Sequence, residues 1–250
     1  MGKRIVLFND LPGYGKVALA AMVPLFSRMG HFPYQVPTAV VSNTLDFGKF
    51  RIQNMTDYMR DTIKVWDELG FDPDCICTGF VLSEEQVELI GDYIRSRKPR
   101  INEIQNVNNG RLVMVDPIMA DGGKLYNGIG MERVVAMRKL VSYSDVMVPN
   151  MTEAGFLTGI CPGRERASAS ELRKLVDGLH KLSGKSVVIT SAQDSETDEH
   201  LVCGYDHKSG QYFFYSYDWK TIKRRESGGG GAGSCTCPDY ADTGKSESFG

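Results

Sequence analysis

The chain has 250 residues, 42% of them hydrophobic and 24% charged, an ordinary globular composition with enough length for one sizeable core. Its formal net charge of -2 argues against a dedicated nucleic-acid surface. No apolar run approaches the roughly 20 residues of a membrane span, and the longest, residues 17–26, is interrupted by Pro24.

Residues 4–8 read as a short buried strand, so close to the amino terminus that no signal peptide and a cytoplasmic location are expected. Gly13-Tyr-Gly-Lys-Val-Ala18 follows and superficially matches a dinucleotide fingerprint, but no acid stands between Val17 and Leu45 to bind a ribose. Gly15-Lys16 also fails as a phosphate loop, because Asp10 and Val17 occupy the positions where glycine and a hydroxyl are required. The glycines are therefore read as a turn that lets a small substrate approach the backbone.

Residues 34–41 form the next expected strand. Residues 56–69 form a helix, with Met59, Ile63, Trp66 and Leu69 recurring at three- and four-residue steps. Further strands are expected over 75–80, 112–115, 146–148 and 186–190. Ser83-Glu-Glu-Gln86 and Ser168-Ala-Ser-Glu171 match the capping box that opens a helix. Residues 201–205 and 211–215 read as a hairpin around Asp206-His-Lys-Ser-Gly210. Strands alternating with helices predict an α/β fold with a mostly parallel sheet and helices on both faces.

The segment Val113-Met-Val-Asp-Pro-Ile-Met-Ala-Asp-Gly-Gly carries the most chemistry. Asp116 stands where the strand must stop, since Pro117 cannot continue ladder pairing, and Asp121 follows on a loop opened by Gly122 and Gly123. Two such acids at a strand end suit Mg²⁺, which takes one or two carboxylates together with waters and phosphates. The bland alternative is a polar loop with ordinary surface acids.

The six cysteines include two Cys-x-Cys pairs, Cys75-Ile-Cys77 and Cys235-Thr-Cys237. Neither has the usual zinc spacing, and the four histidines add no ligand pattern, so reduced thiols are expected.

Asp116-Pro-Ile-Met-Ala-Asp121 with Gly123-Lys-Leu-Tyr126, then Val148-Pro-Asn-Met-Thr-Glu-Ala154 and Leu157-Thr-Gly159, then Val187-Val-Ile-Thr-Ser191, resemble the vitamin B6 kinases of the ribokinase-like superfamily. The resemblance runs from Lys3 to about Trp219. Pro12-Gly-Tyr14 and Val41-Ser-Asn43 place it nearest the bacterial pyridoxamine kinase branch. It implies a three-layer α/β/α sandwich that transfers the γ-phosphoryl group of ATP to the 5′-hydroxymethyl of pyridoxal, pyridoxamine or pyridoxine.

By that resemblance Asp116 and Asp121 lie near the phosphates, Asp116 and Glu153 serve Mg²⁺, Asn150 and Glu153 organise the metal and its waters, and Thr190 with Ser191 contacts ATP. The competing reading of Glu153 is an acid favoured by a helix macrodipole. Asn9 or Asp10, then Ser42 and Asn43, then Phe80, correspond to the family's vitamer-binding positions. For Phe80 a core residue ending a strand is the commoner explanation. Thr44-Leu-Asp46 departs from the His-Thr-Gln of many pyridoxal kinases, which leaves the preferred vitamer open. Family members are commonly dimers, so a homodimer is the assembly implied.

The family's G-T-G-D motif, whose amides form an anion hole and whose aspartate takes the substrate proton, does not occur in the 250 residues. From Lys223 onward there is no Leu, Ile, Val or Met, and residues 227–234 are a Gly/Ser run. The expected organisation is an incomplete kinase domain over 1–222 lacking its C-terminal elements, with a disordered tail over 223–250. Three functions follow: a B6-vitamer kinase impaired by the missing motif, a non-catalytic vitamer- or nucleotide-binding remnant, or an enzyme resembling hydroxymethylpyrimidine kinase.

Overall fold

The structure of the protein, a computed structural model, describes residues 2–97 and 111–218. In chain order the first half comprises β1 (Arg4–Pro12), α1 (Ala18–Arg28), β2 (Phe32–Val41), β3 (Ile52–Asn54), α2 (Thr56–Glu68), β4 (Cys75–Thr78) and α3 (Glu84–Arg97). The second half comprises β5 (Leu112–Val115), β6 (Ala120–Asp121), β7 (Lys124–Leu125), α4 (Met131–Val141), β8 (Val146–Met147), α5 (Met151–Thr158), β9 (Arg166–Ala167), α6 (Ala169–Ser183), β10 (Ser186–Asp194), β11 (His200–Asp206) and β12 (Gln211–Tyr217).

The main sheet runs β12-β11-β10-β8-β5-β4-β1-β2-β3, with β9 added beside β10. From β2 to β10 all pairings along this path are parallel, whereas β3, β11 and β12 are antiparallel additions at the two edges. This is the expected α/β architecture, and its buried parallel strands explain why residues 4–8 and 112–115 read as continuous apolar runs.

Strand alternation divides the core. Val6 and Phe8 of β1, Ile76 of β4 and Val113 and Val115 of β5 join buried residues of α2 to α6 in one large cluster. The opposite face carries Ile5, Leu7 and Cys77 packed on Leu19, Met22, Val23 and Phe26. Burying a side chain such as Phe8 or Leu7 is worth about 1.5–3 kcal/mol relative to leaving it in water.

The expected strand over 75–80 ends at Thr78, and the strand expected to stop at Thr190 continues to Asp194 through an irregularity between Ile189 and Ala192. At Ser168 the capping box is complete, with Glu171 N–H donating to the hydroxyl and the Glu171 carboxylate accepting the Ser168 N–H. At Ser83 only half of it forms. Ser83 Oγ accepts the Gln86 N–H at 3.2 Å, but the Gln86 amide turns inward and accepts the Leu82 N–H at 2.7 Å. The boundary expected at 222 and the tail over 223–250 lie outside the described residues. No helix among the described residues is long and apolar enough to cross a membrane.

Candidate active site at the carboxyl edge of the sheet

Asp116 follows β5 directly, and its N–H donates to the Thr78 carbonyl at 3.0 Å, which fixes it against the end of β4. Val148 extends β8 by bonding to Val115, and Thr190 donates its N–H to Pro149 O at 2.9 Å. Asn150 and Thr190 also form a parallel bridge. β5, β8 and β10 are consecutive in the sheet, so Asp116, Asn150 and Thr190 stand side by side at its carboxyl edge. The convergence expected of the phosphate-side residues is therefore realised for these three and for Glu153 one turn into α5.

Asn150 caps α5. Its Oδ1 accepts the Glu153 N–H at 2.9 Å, and Glu153 Oε2 accepts the Asn150 N–H at 2.9 Å. Both side chains also hold the loop that carries Asp116. Asn150 Nδ2 donates to Ala120 O at 2.8 Å, and Glu153 Oε1 accepts the Met119 N–H at 3.1 Å. The helix-start reading of Glu153 and its site reading thus describe one residue doing both. This Asn-x-x-Glu box was visible in the sequence as the pattern already recognised at Ser168.

Glu153 is 2% exposed. Burial, then the neighbouring Asp116 charge, push its carboxyl well above the ordinary range against the pull of amides from Asn150, Met119 and Ala120. Burial raises the Asp116 carboxyl from 3.8 to about 7. No protein hydrogen bond reaches the Asp116 carboxylate among the described residues. A half-buried and a buried acid without a protein cation beside them among the described residues fit a hard divalent ion that brings its own waters and phosphate oxygens. Each Glu153 oxygen already accepts an amide, from Met119 and from Asn150.

Asp121 is exposed on β6, across the hairpin from Lys124, and so stands at the rim rather than with the half-buried Asp116 and buried Glu153. The hairpin is seated by Gly123, whose N–H donates to Thr152 Oγ1 at 3.0 Å. No group of three or more His, Cys, Asp or Glu suited to a metal forms among the described residues. Thr190 is half-buried, whereas Ser191 is exposed with a φ of 51°, inside the irregularity that turns both out of the β10 ladder. A serine in the left-handed region is uncommon and concentrates at functional turns.

The expected vitamer residues occupy the other half of the same edge, at the ends of β1, β2 and β4. Asn9 is 3% exposed, and its Oδ1 accepts N–H groups from Asp10 at 3.0 Å and Phe80 at 2.8 Å. It therefore ties β1 to the end of β4. Asp10 lies in the β1 irregularity between Asn9 and Leu11, half-buried, and burial raises its carboxyl to about 6 against the pull of its own amide. Phe80 is 5% exposed and packs with Ala39 and Val41, while its carbonyl accepts the Thr38 hydroxyl at 2.6 Å. This is the core placement that was the commoner explanation.

Ser42 and Asn43 bond to each other, Oγ to Oδ1, at 2.7 Å. They line an open cavity of about 420 Å³ with Tyr14, Phe47 and Lys49. The Tyr14 and Phe47 rings meet edge to face at 6.0 Å. Phe47 was not singled out by the sequence, because nothing in its spacing distinguishes it from a core aromatic. Between the two half-sites, the Thr78 hydroxyl is buried without a protein partner among the described residues.

A family profile described as Phosphomethylpyrimidine kinase matches residues 20–237. A pyridoxine/pyridoxal/pyridoxamine kinase of Bordetella avium is 30% identical over 190 residues, covering 73% of this chain and 59% of that protein. The chain thus spans well under two thirds of that relative's length. A Bacteroides thetaiotaomicron protein that carries a phosphomethylpyrimidine kinase name, crystallised with pyridoxal, superposes with a TM-score of 0.77 at 29% identity, over 86% of this chain and 72% of that one. The pyridoxal kinase of Lactobacillus plantarum superposes with a TM-score of 0.72 at 24% identity, over 86% and 72% of the two chains. The profile match over most of the chain, joined to the mostly parallel sheet with its acids at one edge, shows that this protein belongs to the ribokinase-like family of pyridoxal and phosphomethylpyrimidine kinases.

Proposed function

We propose that the chain binds MgATP over the ends of β5, β8 and β10 and a B6 vitamer over the ends of β1, β2 and β4, and directs the γ-phosphoryl group to the vitamer's 5′-hydroxymethyl. The observation that carries this reading is the juxtaposition of Asp116, Asn150, Glu153 and Thr190 at adjacent strand ends. The pyridoxal found with the Bacteroides relative supports the substrate class.

Phosphoryl transfer asks a protein mainly for positioning and charge neutralisation. Asp116 and Glu153 would hold Mg²⁺, which when bound neutralises phosphate charge. Thr190 and Ser191 offer hydroxyls to phosphate oxygens. Asn150 keeps the Asp116 loop closed through Ala120. On the other side the cavity bounded by Tyr14, Ser42, Asn43, Phe47 and Lys49 offers aromatic faces and polar groups to a pyridine ring.

The absence of a G-T-G-D run favours a second reading, a vitamer- or nucleotide-binding protein with little turnover. A positioned acid-base group contributes about 10² to 10⁴-fold, so turnover by this chain is expected to fall short of a motif-bearing relative by that order. ADP release is measured with ATP alone and after adding pyridoxal, pyridoxamine or hydroxymethylpyrimidine, and MgATP and vitamer binding are followed by calorimetry. Vitamer-dependent ADP release supports the kinase. Binding without release supports the second reading, preference for hydroxymethylpyrimidine moves the substrate class, and failure to bind either ligand refutes both.

A further inference from the structure

The pair Cys75 and Cys77 lies on the face of β4 covered by α1, with Cys77 one residue before Thr78, whose carbonyl accepts the Asp116 N–H. Two residues apart on one strand, they share a face, and their Sγ atoms are 3.7 Å apart. Cys77 is 3% exposed, and Cys75, at the start of β4, is half-buried. Cys77 stands directly across from Met114 of β5, whose side chain packs against the same cluster together with Met22 of α1. Four sulfur-bearing side chains therefore pack in one apolar cluster. Met22 Sδ already accepts the Asn9 amide at 3.4 Å, which leaves Met114 as the uncommitted thioether.

We propose that Cys75, Cys77 and Met114 form a three-sulfur site for a soft monovalent d¹⁰ ion, Cu(I) or its analogue Ag(I). Two metal–sulfur bonds of about 2.3 Å, meeting at a little more than a right angle, span a separation of this size. Soft thiolate and thioether donors select Cu(I). Harder ions find no completing donors here. The carboxylates nearest Cys75 are committed elsewhere, Asp74 to Arg4 at 2.8 and 3.2 Å and Asp145 to the Val113 N–H at 3.0 Å. The cluster otherwise offers Ile5, Leu7 and Leu19. Binding is a ligand exchange without redox change: two S–H bonds break, two metal–thiolate bonds form, and two protons leave to solvent.

The test uses the full chain carrying Cys235→Ser and Cys237→Ser, so that the second Cys-x-Cys pair contributes nothing. Cu(I) is supplied anaerobically as its acetonitrile complex and competed with bicinchoninate. The expected result is one Cu(I) retained per chain, lost on further Cys75→Ser and held more weakly on Met114→Leu, with unchanged circular dichroism in both. Met114→Leu keeps the volume and guards against mistaking misfolding for loss of a ligand. No retained copper before substitution, undiminished retention by Cys75→Ser, or equal affinity in Met114→Leu would each overturn the assignment.

Discussion

Asn150 and Glu153 bind each other twice, amide to side chain in both directions at 2.9 Å, and each also bonds to the loop that carries Asp116. Replacing Asn150 by Ala removes the helix cap and the bond to Ala120 together. A cap alone is worth about 0.5–2 kcal/mol, so Asn150→Ala should lower stability to urea by about 2 kcal/mol. Asn150→Asp retains the cap acceptor but loses the donor to Ala120. It should fall between the two in the same urea titration.

Asp116 and Glu153 give the unliganded protein a defined pH dependence. Folding raises Asp116 from 3.8 to about 7 and Asp10 from 3.8 to about 6, and raises Glu153 in the same direction. The folded chain therefore keeps protons that the unfolded chain has released, so this stability is complete below the unfolded values and lost as pH climbs through the folded ones. Asp116→Asn removes one half-buried charge and its repulsion of Glu153. Its unfolding free energy in urea should exceed that of the parent at a pH of about 8, by about 1–3 kcal/mol, and the difference should shrink towards zero as pH falls below the unfolded value of 3.8. The same variant should bind MgATP more weakly by calorimetry, and unchanged affinity would remove Asp116 from the site.

Gly79 lies against Asn9. A Cβ there would come within 2.4 Å of the Asn9 side chain, which is held by Asp10 and Phe80 and cannot swing away. Gly79→Ala should therefore cost about 1–3 kcal/mol in thermal denaturation. It should also raise the vitamer dissociation constant, because Asp10 is positioned through the same amide.

Gln86 is wholly buried and serves three groups: its oxygen accepts from Leu82, and its two amide hydrogens go to Thr38 O at 2.8 Å and Thr56 Oγ1 at 3.1 Å. Gln86→Leu keeps the volume but strands those partners. Unpaired buried groups cost about 1–3 kcal/mol each, so a loss of about 3 kcal/mol is expected in the same melting experiment.

The parallel core was legible because its strands are buried on both faces and therefore read as short apolar runs between capped helices. β3, β6, β7 and β9 were not, since two or three residues carry no measurable alternation. Asp116 and Asp121 were legible from Pro117 and the glycine pair, which mark where a strand ends, whereas Glu153 was reached only through the family resemblance. The approach of Asp116 to the buried Glu153 was not legible, because it depends on which strands become neighbours. Gln86 shows the same limit: its spacing from Ser83 signals a cap, yet the hydrogen-bonding groups of Thr38 and Thr56, far away in sequence, draw its amide inward. The placement of Asn9 between two strands is likewise a property of sheet order alone.

The reciprocal lock between Asn150 and Glu153 has a thermodynamic corollary. Because it also clasps Met119 and Ala120, the loop beside Asp116 surrenders its conformational freedom when the first turn of α5 forms. The entropy of ordering that loop is spent in folding, so a ligand bound beside Asp116 would meet a loop already ordered.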